Sequence, residues 1–307
     1  MHKISTTYTH HLDAIKLEWN LGKRCNYDCS YCPSEIHDNS SPHTDIAVLK
    51  STVDQLLELD KPLRISFTGG EPTVHTQFED LIQYIKQYPE IKFISVTTNG
   101  TRRASYYIDL RIDQLVVSLH FEHDWKKVLD TILQLTTSDR QTTTHKWPRV
   151  ITQVMCHQEK MADVRKCVEV LEKYRLNYTL RRVRWTDGDH DLFDDMRYDQ
   201  RDLDWILSHH ATIEPNTEII SPEGKELLHS NDIIKLHKNQ FRGYSCNVGL
   251  ESLMIDGDGE VYRATCREGG SLGNIYRGSF NKPHSPIVCG RNYCTCSADI
   301  PITKIKL

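Results

Sequence analysis

Cys25-Asn-Tyr-Asp-Cys29-Ser-Tyr-Cys32 is the stretch from which the rest of the chain is read. Three thiols separated by three and then two residues converge readily on one metal centre. Three thiolates also leave one iron of a four-iron cubane open to an outside ligand, whereas a structural zinc or an electron-transfer cluster takes four protein ligands. A zinc site completed by a distant Cys or His is the competing reading, and the sixteen His of the chain keep it open.

Working outward from the loop, strand and helix alternate. Ile15-Lys-Leu17-Glu-Trp19-Asn-Leu21 has the period of a half-buried strand and runs straight into the cysteines. Ile46, Leu49, Val53, Leu56 and Leu57 recur at helical spacing, with Thr44 as N-cap. Leu63 to Phe67 reads as a strand ending in Gly69-Gly70-Glu71-Pro72, and Thr76-x-x-Glu79 as the capping box of the next helix. Ile91 to Val96 leads into Thr97-Thr98-Asn99-Gly100, followed by a short helix around Tyr106 to Leu110. Leu115 to Leu119, Val150 to Met155 and Tyr178 to Val183 complete six strands, with helices at Trp125 to Leu133 and Val164 to Tyr174.

This alternation predicts parallel βαβ units with right-handed crossovers, which place their chemistry at the C-terminal ends of strands. The cysteine loop, the glycine pair, Thr97, Asn99, Ser118, His120, Gln153 and the arginines Arg181, Arg182 and Arg184 all fall there. Periodicity alone leaves a full barrel, a partial barrel and a doubly wound sheet open.

With CxxxCxxC spacing, Tyr31 before the last Cys and an apolar strand before the loop, the chain resembles the radical S-adenosylmethionine (radical SAM) superfamily. The resemblance implies an α/β fold, a partial (β/α)6 TIM-like barrel over residues 1–200. It implies that Cys25, Cys29 and Cys32 hold a catalytic 4Fe-4S cluster whose open iron takes the amino and carboxylate groups of SAM, with Tyr31 beside it. Gly69, Gly70 and Glu71 would hold the methionine amino group, and Thr97, Asn99 and Ser118 the ribose hydroxyls; capping of turns by these strand-end side chains is the alternative. Gln153 and Arg181 are grouped with the cofactor and substrate contacts. His120 is a candidate acid or base near neutral pH.

Residues 201–240 read as a helical connector broken at Pro215 and Pro222-Glu-Gly224, and residues 241–307 as a small cysteine-rich domain. Leu253 to Cys266 reads as a hairpin turning at Asp256-Gly-Asp-Gly259; an EF-hand is excluded because Val261 stands where that loop needs Gly. Cys246, Gly259 and Cys266, followed by Gly273-Asn274-Ile275, resemble the SPASM or twitch extension of radical SAM enzymes. Five Cys are too few for two further clusters, so the resemblance implies one auxiliary 4Fe-4S cluster. Cys246, Cys266, Cys294 and Cys296 are the preferred ligands and Cys289 is the spare or replacement; structural zinc is the alternative. Cys156 and Cys167 read as buried core thiols.

Composition narrows the remaining classes. A formal net charge of −4 gives no general attraction to nucleic acid. No stretch approaches the roughly 18 apolar residues of a membrane span, and the N-terminus lacks a secretory apolar core, so a cytoplasmic enzyme with free thiols is expected. The expected reaction is reductive cleavage of SAM and hydrogen abstraction from a substrate, with a flavodoxin or ferredoxin as reducing partner. A peptide substrate is preferred because peptide maturases are common among relatives with this extension. A small molecule follows closely, because strand one lies near the first residue and leaves no room for a preceding peptide-recognition domain. A zinc-stabilised binding module is the reading outside enzymes.

Overall fold

The computed structural model describes residues 2–8, 13–34, 37–59, 61–137, 147–183 and 197–307. After β1 (Lys3–Thr6), strands and helices alternate: β2 (Ile15–Asn20), α1 (Ile46–Leu57), β3 (Leu63–Thr68), α2 (Phe78–Ile85), β4 (Ile91–Thr98), α3 (Ala104–Asp109), β5 (Gln114–Leu119), α4 (Trp125–Thr137), β6 (Arg149–Cys156), α5 (Met161–Lys173) and β7 (Tyr178–Arg182). Strands β2 to β7 lie side by side in chain order and all pair in parallel. These are the parallel βαβ units that the alternation predicts, and their six strands form the partial barrel that the resemblance implies.

The period of two decides which face meets the helices. Ile15, Leu17 and Trp19 of β2 are fully buried in the main core with Phe67, Val96, Val117 and Val154, while the residues between them point the other way. On that second face the parallel register aligns Glu18 with Ser66 and Ser95, Thr97 with Val116, Ser118 with Gln153 and Thr179, and Met155 with Arg181. Arg181 on the last of these strands interacts electrostatically with Glu18 on the first, so the sheet curls around this polar face and makes it a lumen.

Two helix starts differ from the sequence reading. Asp45, not Thr44, caps α1, its Oδ1 accepting from Ala47 N at 2.7 Å, while the Thr44 carbonyl bonds the His75 imidazole. The Thr76/Glu79 capping box does not form. His75 Nδ1 accepts from Gln77 N instead, and α2 begins at Phe78 with Glu79 and Asp80 in its first turn, where they suit the helix dipole.

After β7 come α6 (Gln200–Ser208), β8 (Thr217–Ser221), β9 (Gly224–Leu228) and α7 (Ser230–Lys235). Residues 201–240, expected as helical, thus contain a hairpin, because Pro222-Glu223 forms the two-residue turn between β8 and β9. Strands β10 (Tyr244–Cys246), β11 (Ser252–Ile255), β12 (Glu260–Tyr262), β13 (Ser271–Asn274), β14 (Ser279–Phe280), β15 (Ile287–Val288) and β16 (Lys304–Lys306) follow. They divide between two sheets. β11 adds in parallel to β2 and carries β12 to β14 with it, making one ten-stranded sheet with the barrel. β15, β10, β16, β1, β8 and β9 form a second, antiparallel sheet, so the first dozen residues, patternless in sequence, supply a central strand. Among the described residues no helix is long and apolar enough to cross a membrane.

Candidate active site

The cysteine loop is fixed from both sides by strand ends. Asn20, the last residue of β2, accepts from Gly22 N through its Oδ1 at 2.9 Å, turning the chain into the loop. Gly70 N then donates to Gly22 O at 2.8 Å and Glu71 N to Arg24 O at 2.9 Å, which fastens the glycine turn after β3 to the backbone before Cys25. This contact explains both glycines. A Cβ on Gly69 would lie 2.3 Å from Asn20 Oδ1, and one on Gly70 would lie 2.3 Å from Lys23 O and 2.4 Å from Arg24 O. Gly69 also has φ of +128°, which only glycine adopts without strain.

The Glu71 carboxylate is committed to the protein. It is buried, and accepts from Thr73 N at 3.0 Å, Thr73 Oγ1 at 2.6 Å, Thr98 Oγ1 at 2.8 Å and Asn99 N at 2.6 Å, joining the ends of β3 and β4. Burial raises its pKa, against the pull of those four donors. Asn99 continues the brace into the loop, its Nδ2 donating to Asn26 Oδ1 at 2.8 Å and reaching Cys25 Sγ at 3.9 Å. Thr97, on the opposite face of β4 from Thr98, points into the lumen with Ser118 and Gln153.

The other side of the loop rests on residues just after β5. Glu122 accepts from Ser30 N at 2.9 Å and Ser30 Oγ at 2.6 Å and lies 3.4 Å from His157 Nε2. Tyr27 stacks on His123 with ring centroids 3.8 Å apart. His120 does not stand apart as a substrate-facing acid or base: its Nδ1 is hydrogen-bonded to Tyr31 Oη at 2.6 Å and lies 3.4 Å from Cys29 Sγ. Burial, with the charge of His123, lowers its pKa to about 4, so the ring is neutral near pH 7.

Cys29 and Cys32 are pushed to about 12 and about 11, first by burial and then by neighbouring charge, including that of Cys25 in both cases. Burial also raises Cys25. Thiols that oppose one another's ionisation in this way are relieved by a cation-rich centre, which takes them as thiolates. N–H groups already aim at sulfur, Tyr27 N lying 3.4 Å from Cys25 Sγ. Among the described residues no three His, Cys, Asp or Glu side chains converge as a site for a single metal ion. The donor chemistry, three thiols with N–H support beside an open lumen, fits a thiolate-held cluster.

The C-terminal thiols separate into two environments. Cys266 is raised to about 11 by burial, then by Asp299, Cys246 and Cys289, while Cys289 is raised by burial and by Cys246. Cys294 is raised by burial and feels Cys296 and Cys266, with Lys304 opposing the shift. Cys296 lies on the barrel side, raised to about 12 by burial and then by Asp299 and Glu18, with Lys16 opposing. Cys156 and Cys167 are fully buried in the core, as expected.

Sequence reasoning missed Asn20, Asn26, Thr98, Glu122 and Glu18, whose roles depend on which neighbour the register supplies. His120-Phe-Glu122-His123 did carry a usable signal, three titratable residues in four at a parallel strand's C-terminal end. Arg181 reaches the lumen, its Nη1 donating to Ser297 Oγ at 3.3 Å; Arg184 lies outside the described residues.

Residues 19–137, from β2 through α4, match the Radical SAM superfamily. GTP 3',8-cyclase of Syntrophomonas wolfei is 37% identical over 95 residues, 30% of this chain and 29% of that protein. The similar stretch therefore spans less than a third of the curated relative's length. Among solved structures, anSMEcpe with bound AdoMet aligns with a TM-score of 0.57 at 14% identity, covering 85% of this chain and 78% of that one. Streptococcus suis SuiB bound to precursor peptide SuiA aligns with a TM-score of 0.54 at 12% identity, covering 86% and 62%. The stretch that carries Cys25, Cys29 and Cys32 is thus a Radical SAM domain by its family match, and the fold that surrounds it is shared with these solved structures.

Proposed function

We propose that this protein reductively cleaves SAM and abstracts hydrogen from a peptide or small-molecule substrate. The observation that carries the reading is the cysteine loop zipped to the Gly69-Gly70 turn at the mouth of a polar lumen. A 4Fe-4S cluster held by Cys25, Cys29 and Cys32, with SAM on its open iron, would supply the electron transfer that generates a deoxyadenosyl radical. The protein's own part is positional. Glu71 and Asn99 hold the loop at one side, Glu122 and His120 at the other, and the carbonyl oxygens of Gly69 and Gly70 are offered to the amino group of a ligand. Thr97, Ser118 and Gln153 offer polar groups for the nucleoside portion.

For an auxiliary 4Fe-4S cluster, the mutual neighbourhood of Cys246, Cys266 and Cys289 supports those three as ligands, with Cys294, which neighbours both Cys266 and Cys296, as the fourth and Cys296 beside Glu18 left to the lumen. A peptide substrate is supported by the likeness to anSMEcpe and SuiB across barrel and tail. The small-molecule alternative is supported by the cyclase similarity and by the tail segment Ser297-Ala298, which bridges β2 and β7. A cytoplasmic location and a flavodoxin or ferredoxin donor accompany either substrate.

The test is anaerobic reconstitution with iron and sulfide, reduction, and measurement of deoxyadenosine from SAM. The wild type should form it and the triple variant Cys25→Ala/Cys29→Ala/Cys32→Ala should not. Undiminished formation by the triple variant rejects the proposal.

A further inference from the structure

Two side chains meet at one of the three loop sulfurs. Cys29 Sγ lies 3.4 Å from His120 Nδ1, and the same nitrogen lies 2.6 Å from Tyr31 Oη. Tyr31 Oη is itself within hydrogen-bonding reach of the Cys29 sulfur, so sulfur, phenol and imidazole form a triangle. Ring packing holds it in place. Tyr31 stacks on His120 with centroids 6.0 Å apart and planes 15° apart, and Tyr27 meets the His120 ring edge-on at 5.9 Å. Cys29 is 8% exposed, so protein groups rather than bulk water supply most of the polar surroundings of its sulfur.

The triangle changes character once Cys29 binds metal as a thiolate. A thiol can donate, whereas a thiolate only accepts, and the Tyr31 hydroxyl brings a proton to the group whichever nitrogen of His120 carries its own. Hydrogen bonds to a charged acceptor are about twice as strong as neutral ones, so the ionised sulfur becomes the favoured target of the pair. Cys25 is served differently, by the backbone N–H of Tyr27 at 3.4 Å and by Asn99 Nδ2 at 3.9 Å.

Hydrogen bonds to the sulfurs of an iron–sulfur cluster help to set its reduction potential, because each donor stabilises the negative charge that reduction adds. We infer that Tyr31 and His120 act as a pair on Cys29 to raise the potential of a cluster held by Cys25, Cys29 and Cys32, easing its one-electron reduction by an external donor. The added electron goes to the cluster and the phenolic proton stays on Tyr31, so no other bond forms or breaks. Both are positioning residues, acting through Cys29. The inference rests on the cluster reading proposed above.

The experiment is a redox titration followed by electron paramagnetic resonance, on the full chain reconstituted anaerobically with iron and sulfide. The signal of the triple variant Cys25→Ala/Cys29→Ala/Cys32→Ala is subtracted. Tyr31→Phe, which removes one oxygen and keeps the ring, should lower the ratio of reduced to oxidised cluster at a fixed potential about threefold or more. His120→Leu should shift the ratio in the same direction. His120→Asn, whose amide nitrogen can replace Nδ1, should bring it back near that of the parent, which a merely structural role for the ring would not do. Thermal melts of the unloaded chains report folding, and Tyr31→Phe decides where His120→Leu does not fold. An unchanged ratio in Tyr31→Phe, or equal shifts in His120→Leu and His120→Asn, overturns the inference and leaves the cluster reading intact. Equal signals from the parent and the triple variant overturn both.

Discussion

Lys16 Nζ donates to the carbonyl of Ala298 at 2.6 Å, so the first parallel strand of the barrel holds the cysteine-rich tail directly. Arg181 on the last parallel strand reaches the neighbouring Ser297, and the two bonds together tie the tail to both ends of the parallel series. Lys16→Met removes a charge-assisted bond and leaves Ala298 O without it. A loss of about 1–3 kcal/mol in urea unfolding is expected. Iron retained by a variant lacking the Cys25, Cys29 and Cys32 thiols should fall further when Lys16→Met is added; equal retention would show that this bond does not order the tail.

Gly70→Ala tests why the glycine pair is there. A methyl group would meet two backbone carbonyls, Lys23 O and Arg24 O, neither of which moves without the cysteine loop. Overpacking of this kind costs about 1–3 kcal/mol. The expected outcome is a lowered unfolding midpoint together with loss of SAM binding, read by equilibrium dialysis; a variant that binds SAM as tightly as the parent would show that the loop yields freely.

Cys289→Ser and Cys296→Ser separate the two thiol environments. In a background without the first three thiols, about four irons per chain are expected, the content of one cubane. Cys289→Ser should lower that number markedly and Cys296→Ser should not. The reverse result would return Cys296 to the ligand set, and zinc without iron would decide for a structural metal.

His229 gives a pH dependence. Burial lowers its pKa to about 4, with Arg181 and Arg149 adding to the shift and Asp232 opposing it. The folded ring resists a proton that the unfolded chain takes up near 6.5. Stability from the neutral ring is therefore complete above about pH 6.5 and is lost as pH falls toward about 4, by at most about 3 kcal/mol. His229→Asn, which retains a capping side chain for α7, should flatten this limb. Parallel urea midpoints for parent and variant at pH 7.5 and pH 5 would refute the assignment.

What was legible in the sequence was whatever carries a local period or a covalent spacing. The alternation Ile15-Leu17-Trp19 announces its strand because one face must be apolar, and three thiols at fixed spacing announce a metal loop. Non-local pairing leaves no such mark. Nothing in Ser252–Ile255 says that it will lie parallel to β2, and nothing in Lys3–Thr6 says that it will join a sheet with residues near 220 and 305. Pro222-Glu-Gly224 was visible as an interruption, but whether it breaks a helix or turns a hairpin depends on the partner strand. The site divides in the same way. The cysteines and glycines could be named in advance, while Glu122 and Asn99 acquire their roles only once folding brings Ser30 and Asn26 to them.

The pairing of β1 with β8 and β16 sets an order in time. During synthesis Lys3–Thr6 is made before either strand it pairs with: it has no neighbour until residues 217–221 are made and lacks its second until residues 304–306 follow. Each barrel strand up to β6 gains a neighbour as soon as the next one is made, although β2 gains its second only with Ser252–Ile255. The amino-terminal cysteine loop can thus be braced, and open to loading, while the tail is still being translated; the thiols at Cys246, Cys266, Cys289 and Cys294 are gathered only after the last strand closes the sheet. A ribosome-stalled chain ending before residue 300 should therefore present its two sets of thiols to an iron–sulfur carrier in very different states of order.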